Sequence, residues 1–278
     1  MTENDLRLPT RPLSLRLARG LRGLAILLVL LGPYLLLLVM SLGSGWSFPQ
    51  LVPNRVDLLP WKRFLNDRDG LLSAVGTSAM MSVTVGLLGT AGGLLIGRSI
   101  RKLPGNTPRF LIYLPFVISP VVVGICLYDL LIRLHLAGTV IGTVMLQTVF
   151  ALSLASVFFS ELWSSRAERL ELLVSNLGGG RWAVFRHAIW PQSAGLIAIC
   201  FVQTALLSWL DYGLVSVVGG GHVRTVTVRL FSSLHEANVN QAAQSSLVLL
   251  APCVAGFTGA LLLLSVRIRR TSAQESSS

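Results

Sequence analysis

Long runs without charge dominate the chain and are separated by short polar and basic segments. Six runs have the length and uniform apolarity of membrane helices, which need roughly 20 residues to cross a bilayer. They are residues 23–42, 70–97, 110–128, 134–160, 188–210 and 237–266. Backbone groups inside lipid must bond internally, and the runs lack the alternation of barrel strands, so the pattern predicts helices. The expected fold is all-α, an integral membrane helical bundle with about six transmembrane helices.

The overall composition excludes a water-soluble fold. The 278 residues are 53% hydrophobic and only 13% charged, whereas soluble domains carry about 25% charge. The first apolar run continues through Pro33 and Tyr34 without a small-residue cleavage site. We therefore expect this run to remain as a membrane anchor.

The distribution of basic residues predicts the orientation of the spans. If the N-terminus is inside, 16 of the 23 Lys and Arg residues fall in the inner segments and 7 in the outer ones. Lys and Arg favour the cytoplasmic side of a membrane, so both termini are expected to be cytoplasmic. Topology also accounts for the net charge of +11, and no nucleic-acid partner is needed to explain it.

The same pattern divides the chain into three parts. Residues 1–22 form a basic cytoplasmic N-terminal segment, residues 23–267 the six-helix transmembrane domain, and residues 268–278 a Ser-rich tail expected to be disordered. Two interpretations of residues 12–23 remain open. They form either an amphipathic segment along the inner leaflet, which would contact membrane lipid, or a disordered tail that only sets topology.

Polar residues and prolines within the apolar runs are candidates for a solute path. Gln147 and Gln203 fall near the middle of the fourth and fifth spans, and Asp129 and Asp211 near the outer ends of the third and fifth. Pro120 removes a helix hydrogen bond in the third span. Hydrogen bonding between helices could equally explain the glutamines, and access to interfacial water could explain the aspartates.

A stripe of glycines marks the second span as a packing helix. Gly89, Gly93 and Gly97 recur at a spacing of four residues, which places them on one face of a helix. Small residues let two helix backbones approach closely in a membrane. The stripe predicts close helix packing and is not specific to any function.

The inner segment between the fourth and fifth spans, residues 163–191, has the most specific pattern. An amphipathic stretch is broken by three glycines, a second short helix follows, and a proline begins the next span. Its aromatic and basic side chains suit docking on a partner, although an interfacial helix that anchors the neighbouring spans would look similar. The residues assigned to this loop are Glu171, Gly178, Gly179, Gly180, Arg181, Trp182, Phe185 and Pro191.

These residues resemble the cytoplasmic loop of binding-protein-dependent ABC transporter permeases, the MetI-like family. That loop has an acid followed by two alanines, a glycine six residues after the acid, and a proline thirteen residues after that glycine. Gly178 and Pro191 fit this spacing. The acid position is Leu172 here, and Glu171 lies one residue earlier, about 100° away around a helix. An acid-dependent contact would therefore be displaced.

Two further stretches are similar to the same family, and together the resemblance covers about residues 70 to 267. Residues 114–124 resemble its proline-bearing third span. Residues 208–212, the glycine turn at 219–221 and residues 225–229 resemble the branch that transports polyamine, ferric iron, thiamine or sulfate. The transported solute is not specified by these stretches.

The resemblance implies a non-enzymatic permease subunit of an ABC importer in the inner membrane of a bacterium. Its expected partners are ABC ATPase subunits, a second permease subunit, either identical or a sibling, and an extracytoplasmic solute-binding protein. Lys62 and Lys102, the only lysines, do not follow Gly-rich turns as a phosphate-binding lysine would. We therefore expect no cofactor on this chain, and ATP and Mg²⁺ on the partner ATPase.

Two other classes of function fit the sequence less well. A rhomboid-like intramembrane protease would need a base near Ser44, and the four histidines lie in loops or near a span end by this topology. An ion-coupled secondary transporter usually shows paired repeats and buried ionisable groups. No internal repeat is evident in the sequence, so the importer subunit is the favoured interpretation.

Overall fold

The structure of the chain is a computed structural model. It describes residues 29, 31–44, 55–67, 70–102, 110, 112, 114–115, 117–160, 176, 178, 180, 186 and 190–275. Of the predicted domains, the basic segment at residues 1–22 lies outside the described residues.

Helices make up nearly all of the described part. They are α1 (Leu31–Leu42), α2 (Leu59–Leu65), α3 (Leu71–Lys102), α4 (Pro120–Arg133), α5 (Val140–Ser160), α6 (Trp190–Leu210), α7 (Gly213–Val218), α8 (Val226–His235) and α9 (Val239–Glu275). A two-residue strand, β1 (Gly43–Ser44), pairs antiparallel with β2 (Arg55–Val56). The sequence did not predict this two-stranded ribbon. It also did not predict the short helices α2, α7 and α8.

Three described helices are long and apolar enough to cross a membrane. They are Leu71–Ile100, Val140–Ser160 and Ser193–Leu210, which correspond to the second, fourth and fifth predicted spans. The described part of the first predicted span forms the shorter apolar helix α1. The chain is therefore a helical membrane bundle, as its hydrophobic pattern predicts.

The centre of the bundle is the contact between α3 and α5, formed by the glycine stripe. A Cβ atom added to Gly89 would lie 2.7 Å from the Cβ of Ala151, and one added to Gly97 would lie 3.2 Å from the backbone of Phe159. A larger residue at Gly89 would force the two helices apart, and one at Gly97 would crowd them, so the stripe performs the predicted packing role. Ala151, Ala155 and Phe159 are fully buried against it.

Residue pairs across the bundle give the relative directions of the helices. Gly89 and Gly97 of α3 meet Ala151 and Phe159 of α5 in the same order along the two helices, so these helices run parallel. Helix α9 runs antiparallel to α6, because Trp209 contacts Leu249 while Val202 and Leu206 contact Gly256. Alternate spans run in the same direction, as a chain that crosses back and forth requires.

Helices α6 and α9 are also joined by a hydrogen bond beside a proline. Pro252 lies inside α9 and lacks the N–H that would bond to the carbonyl of Val248. One residue further along, the carbonyl of Leu249 accepts a hydrogen bond from Trp209 Nε1 at 2.9 Å. The indole N–H therefore binds the backbone of α9 within the turn that the proline loosens.

The start of α9 binds the end of α1. The side-chain amide of Asn240 lies 3.1 Å from the carbonyl oxygens of Met40 and Ser41 and 2.6 Å from that of Gly43. The last carbonyls of a helix have no partner within the helix. Asn240 therefore supplies a donor to the C-terminal end of α1 from a residue 200 positions away.

The predicted boundaries of the third and fourth spans were wrong. The third predicted span breaks at Ile118 and Ser119, and α4 then runs from Pro120 to Arg133. Ser119 is extended because a residue before proline avoids helical angles, so Pro120 begins a helix and does not kink one. The fourth span begins at Val140, since residues 134–139 form a turn with positive φ at His135 and Gly138.

The C-terminal boundary also differs from the expectation. Helix α9 continues to Glu275, so residues 268–275, expected to be disordered, are helical in the structure. The sequence from Val266 to Glu275 contains neither glycine nor proline. Nothing in it interrupts a helix that has already formed, because extending a helix is much easier than starting one.

Candidate functional site

The most distinctive feature of the bundle is a helix break at the end of a membrane span. Helix α6 ends at Leu210, Asp211 and Tyr212 are not helical, and α7 begins at Gly213. Asp211 Oδ1 accepts a hydrogen bond at 3.2 Å from the N–H of Leu214, one of the first-turn N–H groups of α7 that have no partner within the helix. At Gly213 a Cβ would lie 2.6 Å from Val121, so only glycine lets α4 pack here.

A chain of hydrogen bonds links this break to α5. Ser208 Oγ donates to Gln147 Oε1 at 2.7 Å, and Gln147 Nε2 donates to Asp211 Oδ2 at 2.7 Å. Gln147 is fully buried and Ser208 nearly so. Because both ends of the amide are bonded, the orientation of the Gln147 side chain is fixed by its partners.

The position of Gln147 along α5 shows that the break, to which Gln147 is bonded through Asp211, lies at membrane depth. Helix α5 has 21 residues, about the number needed to cross a bilayer, and Gln147 is seven residues from its start at Val140. At 1.5 Å per residue, Gln147 is about 10 Å from the N-terminal end of the helix. Asp211, which is bonded to it, therefore lies deeper than the sequence suggests.

The beginning of α8 is tied to the same region. Ser78 Oγ of α3 accepts a hydrogen bond from the N–H of Val226 at 2.9 Å, and Thr227 Oγ1 donates to the backbone carbonyl of Asp211 at 3.1 Å. The side chain of Thr225 caps α8 by accepting from the N–H of Val228. Four helices, α3, α5, α6 and α8, thus meet at one polar cluster around Asp211.

An aromatic pair borders the break. The rings of Tyr212 and Phe231 stack with their centroids 4.0 Å apart and an angle of 27° between their planes. Phe231 follows Thr227 by four residues on α8, so both side chains lie on one face of that helix. That face is the one turned toward Asp211, because Thr227 is bonded to it.

The structure brings together only some of the predicted path residues. Gln147 and Asp211 are in direct contact, whereas Gln203 lies exposed on another face of α6. Asp129 is exposed near the end of α4 and pairs with Arg133 at 2.9 Å. Pro120 is the first residue of α4 and is exposed. The predicted path is therefore divided between a buried cluster and separate surface positions.

Much of the predicted inner loop lies outside the described residues, including Glu171, Gly179, Arg181, Trp182 and Phe185. Gly178 has a φ of +80°, a conformation that L side chains rarely adopt, as expected for a glycine turn. Pro191 is the second residue of α6, in the first turn, where proline is tolerated. The roles of the loop residues stay a prediction.

Several residues of the polar cluster were not selected as candidates from the sequence. They are Ser78, Ser208, Tyr212, Thr225, Thr227 and Phe231. One signal was available, because Ser208 and Asp211 are three residues apart and share a helix face. The partners on α3 and α8 had no such signal, since they come close only through the tertiary fold.

Apolar spans together with a carboxylate at a helix break define the class of protein. Irregular backbone at membrane depth occurs where it is buried in protein or lines a cavity, and ionisable groups there mark transport pathways. The fold and the cluster therefore indicate an integral membrane protein with a polar site at membrane depth.

Comparison with protein families gives the assignment. The family model for the binding-protein-dependent transport system inner membrane component matches residues 89–270, which is more than half of the chain. The chain belongs to this family, and it is a membrane transport component. A search of curated proteins found no match. The matched region contains α4 to α8 and the whole polar cluster except Ser78.

Proposed function

We propose that this chain is the transmembrane permease subunit of an ABC importer. It receives a small solute from an extracytoplasmic solute-binding protein and passes it across the inner membrane of a bacterium, driven by ATP hydrolysis on a separate subunit. The family assignment over residues 89–270 is the observation that carries this proposal. It also favours an importer subunit over the ion-coupled transporter and the intramembrane enzyme.

The exposed face of α6 supports a second permease subunit as a partner. Gln203 is seven residues from the end of the span at Leu210, and both residues are exposed. An amide within an apolar span needs a hydrogen-bonding partner or water. In the proposed complex this face lines the solute path between two permease subunits, which are either identical or siblings.

The inner loop is the proposed contact with the ATPase. Arg181, Trp182 and Phe185 follow the glycine turn, and Trp and Arg are frequent anchors at interfaces. The positive φ of Gly178 supports a turn that presents them. ATP and Mg²⁺ bind to the partner ATPase, and this chain itself binds no cofactor in the proposed complex.

The orientation follows from the charge distribution, with both termini in the cytoplasm. The parallel arrangement of α3 and α5 supports alternating spans. Reporter fusions after Arg101, Gly179 and Arg270 should give a cytoplasmic signal, and a fusion at Asn54 an external one. An external signal at Gly179 would exclude a contact between this loop and a cytoplasmic ATPase.

The proposed contact between the inner loop and the ATPase can be tested at two glycines that differ in backbone conformation. A Cβ at Gly178 or Gly180 would meet no atom within 4 Å, yet only Gly178 has a positive φ. Gly178→Val should strain the turn and displace the following helix, whereas Gly180→Val serves as the matched control. The amount of co-purified ATPase and the stimulated ATP hydrolysis should both fall for Gly178→Val.

A second variant tests whether the Trp182 side chain anchors the ATPase to this loop. Trp182→Ala should weaken ATPase binding by about 2 kcal/mol, or roughly thirtyfold, as truncation of a central aromatic anchor often does. Membrane insertion should be unchanged because no span is altered. Wild-type ATPase binding and turnover in both Gly178→Val and Trp182→Ala would show that the loop is only a structural anchor.

A further inference from the structure

The short helix α2 lies level with the ends of two membrane spans. Phe64 packs against the cluster formed by Leu71, Trp209 and Val226. Leu71 is the first residue of α3, and Trp209 is the last but one of α6. Trp61 meets Phe64 edge to face, with the ring centroids 5.8 Å apart. Two aromatic side chains therefore attach α2 at the boundary of the hydrocarbon layer, where Trp is often found.

One edge of α2 carries leucines that the described part of the chain leaves uncovered. Leu58 is 60% exposed and Leu65 is 69% exposed. They are seven residues apart, close to two helix turns, so they lie on the same edge of the helix. Exposed leucines are ordinary on a membrane span, but α2 has only seven residues and lies outside the spans. An apolar edge at this level fits the outermost part of the acyl chains better than it fits water.

Two basic residues border this apolar edge. Lys62 lies four residues after Leu58 and three before Leu65, so its side chain is next to theirs on the helix surface. Lys62 and Arg63 are both exposed. Neither of them pairs with an acid in the part of the chain that the structure describes. Apolar side chains bordered by free basic ones are typical of helices that lie along an anionic membrane surface.

The acids nearest to these basic residues in the sequence bind backbone groups at the starts of helices. Asp57 Oδ1 accepts a hydrogen bond from the N–H of Leu59 at 2.9 Å. Asp67 Oδ1 accepts from the N–H groups of Leu72 and Ser73 at 2.9 and 3.1 Å. A carboxylate is stabilised at the N-terminal end of a helix. The two basic side chains therefore remain free to bind an anion outside the chain.

We propose that α2 is an interfacial helix that binds anionic phospholipid. Lys62 and Arg63 bind the headgroup phosphates, and Leu58 and Leu65 insert among the acyl chains of the leaflet in which α3 begins. A lipid surface is favoured over an acidic protein partner because the leucines lie level with the ends of the spans. The proposal does not depend on the assignment to an ABC importer.

A fluorophore beside the basic residues can report which lipid surrounds α2. Asn66 is exposed and lies four residues after Lys62, so Asn66→Cys places a bimane label on the same face. In a Cys126→Ser/Cys253→Ser background the remaining native cysteine, Cys200, is buried. The labelled full chain is placed in nanodiscs of phosphatidylglycerol and phosphatidylcholine in equal parts, with bromine on the acyl chains of one lipid at a time. Quenching then measures how often each lipid lies beside the helix.

Brominated phosphatidylglycerol should quench the label more strongly than brominated phosphatidylcholine. Each basic residue near an anionic surface favours the anionic lipid by about fivefold, so Lys62→Gln with Arg63→Gln should remove most of the preference. High salt should weaken it as well. Lys62→Arg with Arg63→Lys keeps both charges and should retain it. Arg133→Gln is the matched control, because Arg133 is exposed but paired with Asp129, and it should leave the preference unchanged.

Four outcomes would overturn this proposal. Two of them are equal quenching by the two lipids and an unchanged preference in the double glutamine variant. Loss of the preference in the charge-conserving variant would show that charge does not determine it. Absence of quenching by either lipid would mean that α2 faces water or a protein. Leu65→Gln should reduce quenching by both lipids, and full quenching in that variant would exclude insertion of the apolar edge. ATPase co-purification is measured separately, so failure of the proposed function would leave the lipid preference intact.

Discussion

The contact between α3 and α5 and the break between α6 and α7 use opposite ways of holding helices together. At the first, glycines face Ala151 and Ala155, and the two backbones approach too closely for larger side chains to fit between them. At the second, Gln147, Ser208 and Asp211 are joined by hydrogen bonds of 2.7 Å. One interface depends on shape and the other on a specific arrangement of donors and acceptors.

This difference matters for a protein that must change conformation. Close packing of small residues has a single good geometry, since any larger side chain would overlap. Hydrogen bonds can be exchanged for bonds to water or to a solute at little net cost. We therefore expect the α3–α5 contact to stay fixed during transport, and the polar cluster around Asp211 to rearrange.

The largest loss of stability is expected from a substitution in the contact between α3 and α5. A Cβ at Gly93 would overlap the Cβ of Ala155, whereas one at Gly76, on an exposed face of the same helix, would meet nothing within 4 Å. Gly93→Leu should destabilise the folded chain by more than the roughly 1–3 kcal/mol typical of an overpacked core. Gly76→Leu should have little effect.

Thermal unfolding in detergent provides the measurement for this pair. Cys200 is buried, Cys126 is exposed and Cys253 is partly exposed, so a thiol-reactive dye in a Cys126→Ser/Cys253→Ser background reports the opening of the bundle. Equal unfolding temperatures for Gly93→Leu and Gly76→Leu would show that the α3–α5 contact is not the rigid part of the bundle.

A smaller loss of stability is expected from a substitution in the polar cluster around Asp211. Gln147→Leu leaves the carboxylate of Asp211 without its side-chain donor, which should cost roughly 1–3 kcal/mol of stability. Gln203→Leu should leave stability unchanged, because Gln203 is exposed, but should lower solute uptake if the residue lines the path. The same dye assay and an uptake assay in cells would compare the two leucine variants. A greater loss of stability in Gln203→Leu would contradict the assignment of Gln147 to the cluster.

The smallest change in stability and uptake is expected from a substitution in an exposed ion pair. Asp129 and Arg133 form an exposed pair one helix turn apart, with side chains 75% and 76% exposed. Such pairs contribute about 0.3–0.5 kcal/mol, so Asp129→Asn should leave unfolding and uptake close to wild type. A strong loss of uptake with normal unfolding would instead return Asp129 to the solute path.

The sequence alone predicted the helices better than the cluster. Absence of charge over about 20 residues is a local property, so it identified α3, α5 and α6 as spans. The spacing of Gly89, Gly93 and Gly97 likewise predicted the packing face. The uncharged run at residues 188–210 ends where α6 ends, but it did not predict α7, whose Leu214, Val215 and Val218 are buried in the bundle.

The polar cluster shows what required the tertiary structure. Gln147 and Asp211 are 64 residues apart, and Ser78 and Val226 are 148 apart, so no local pattern could pair them. The sequence by itself determined that the chain crosses a membrane, which segments are apolar enough to do so, and which family it resembles. Only the packing of α3, α5, α6 and α8 decided which polar residues meet. A buried polar group is stable only beside a partner of the right geometry, and that geometry comes from the arrangement of the helices.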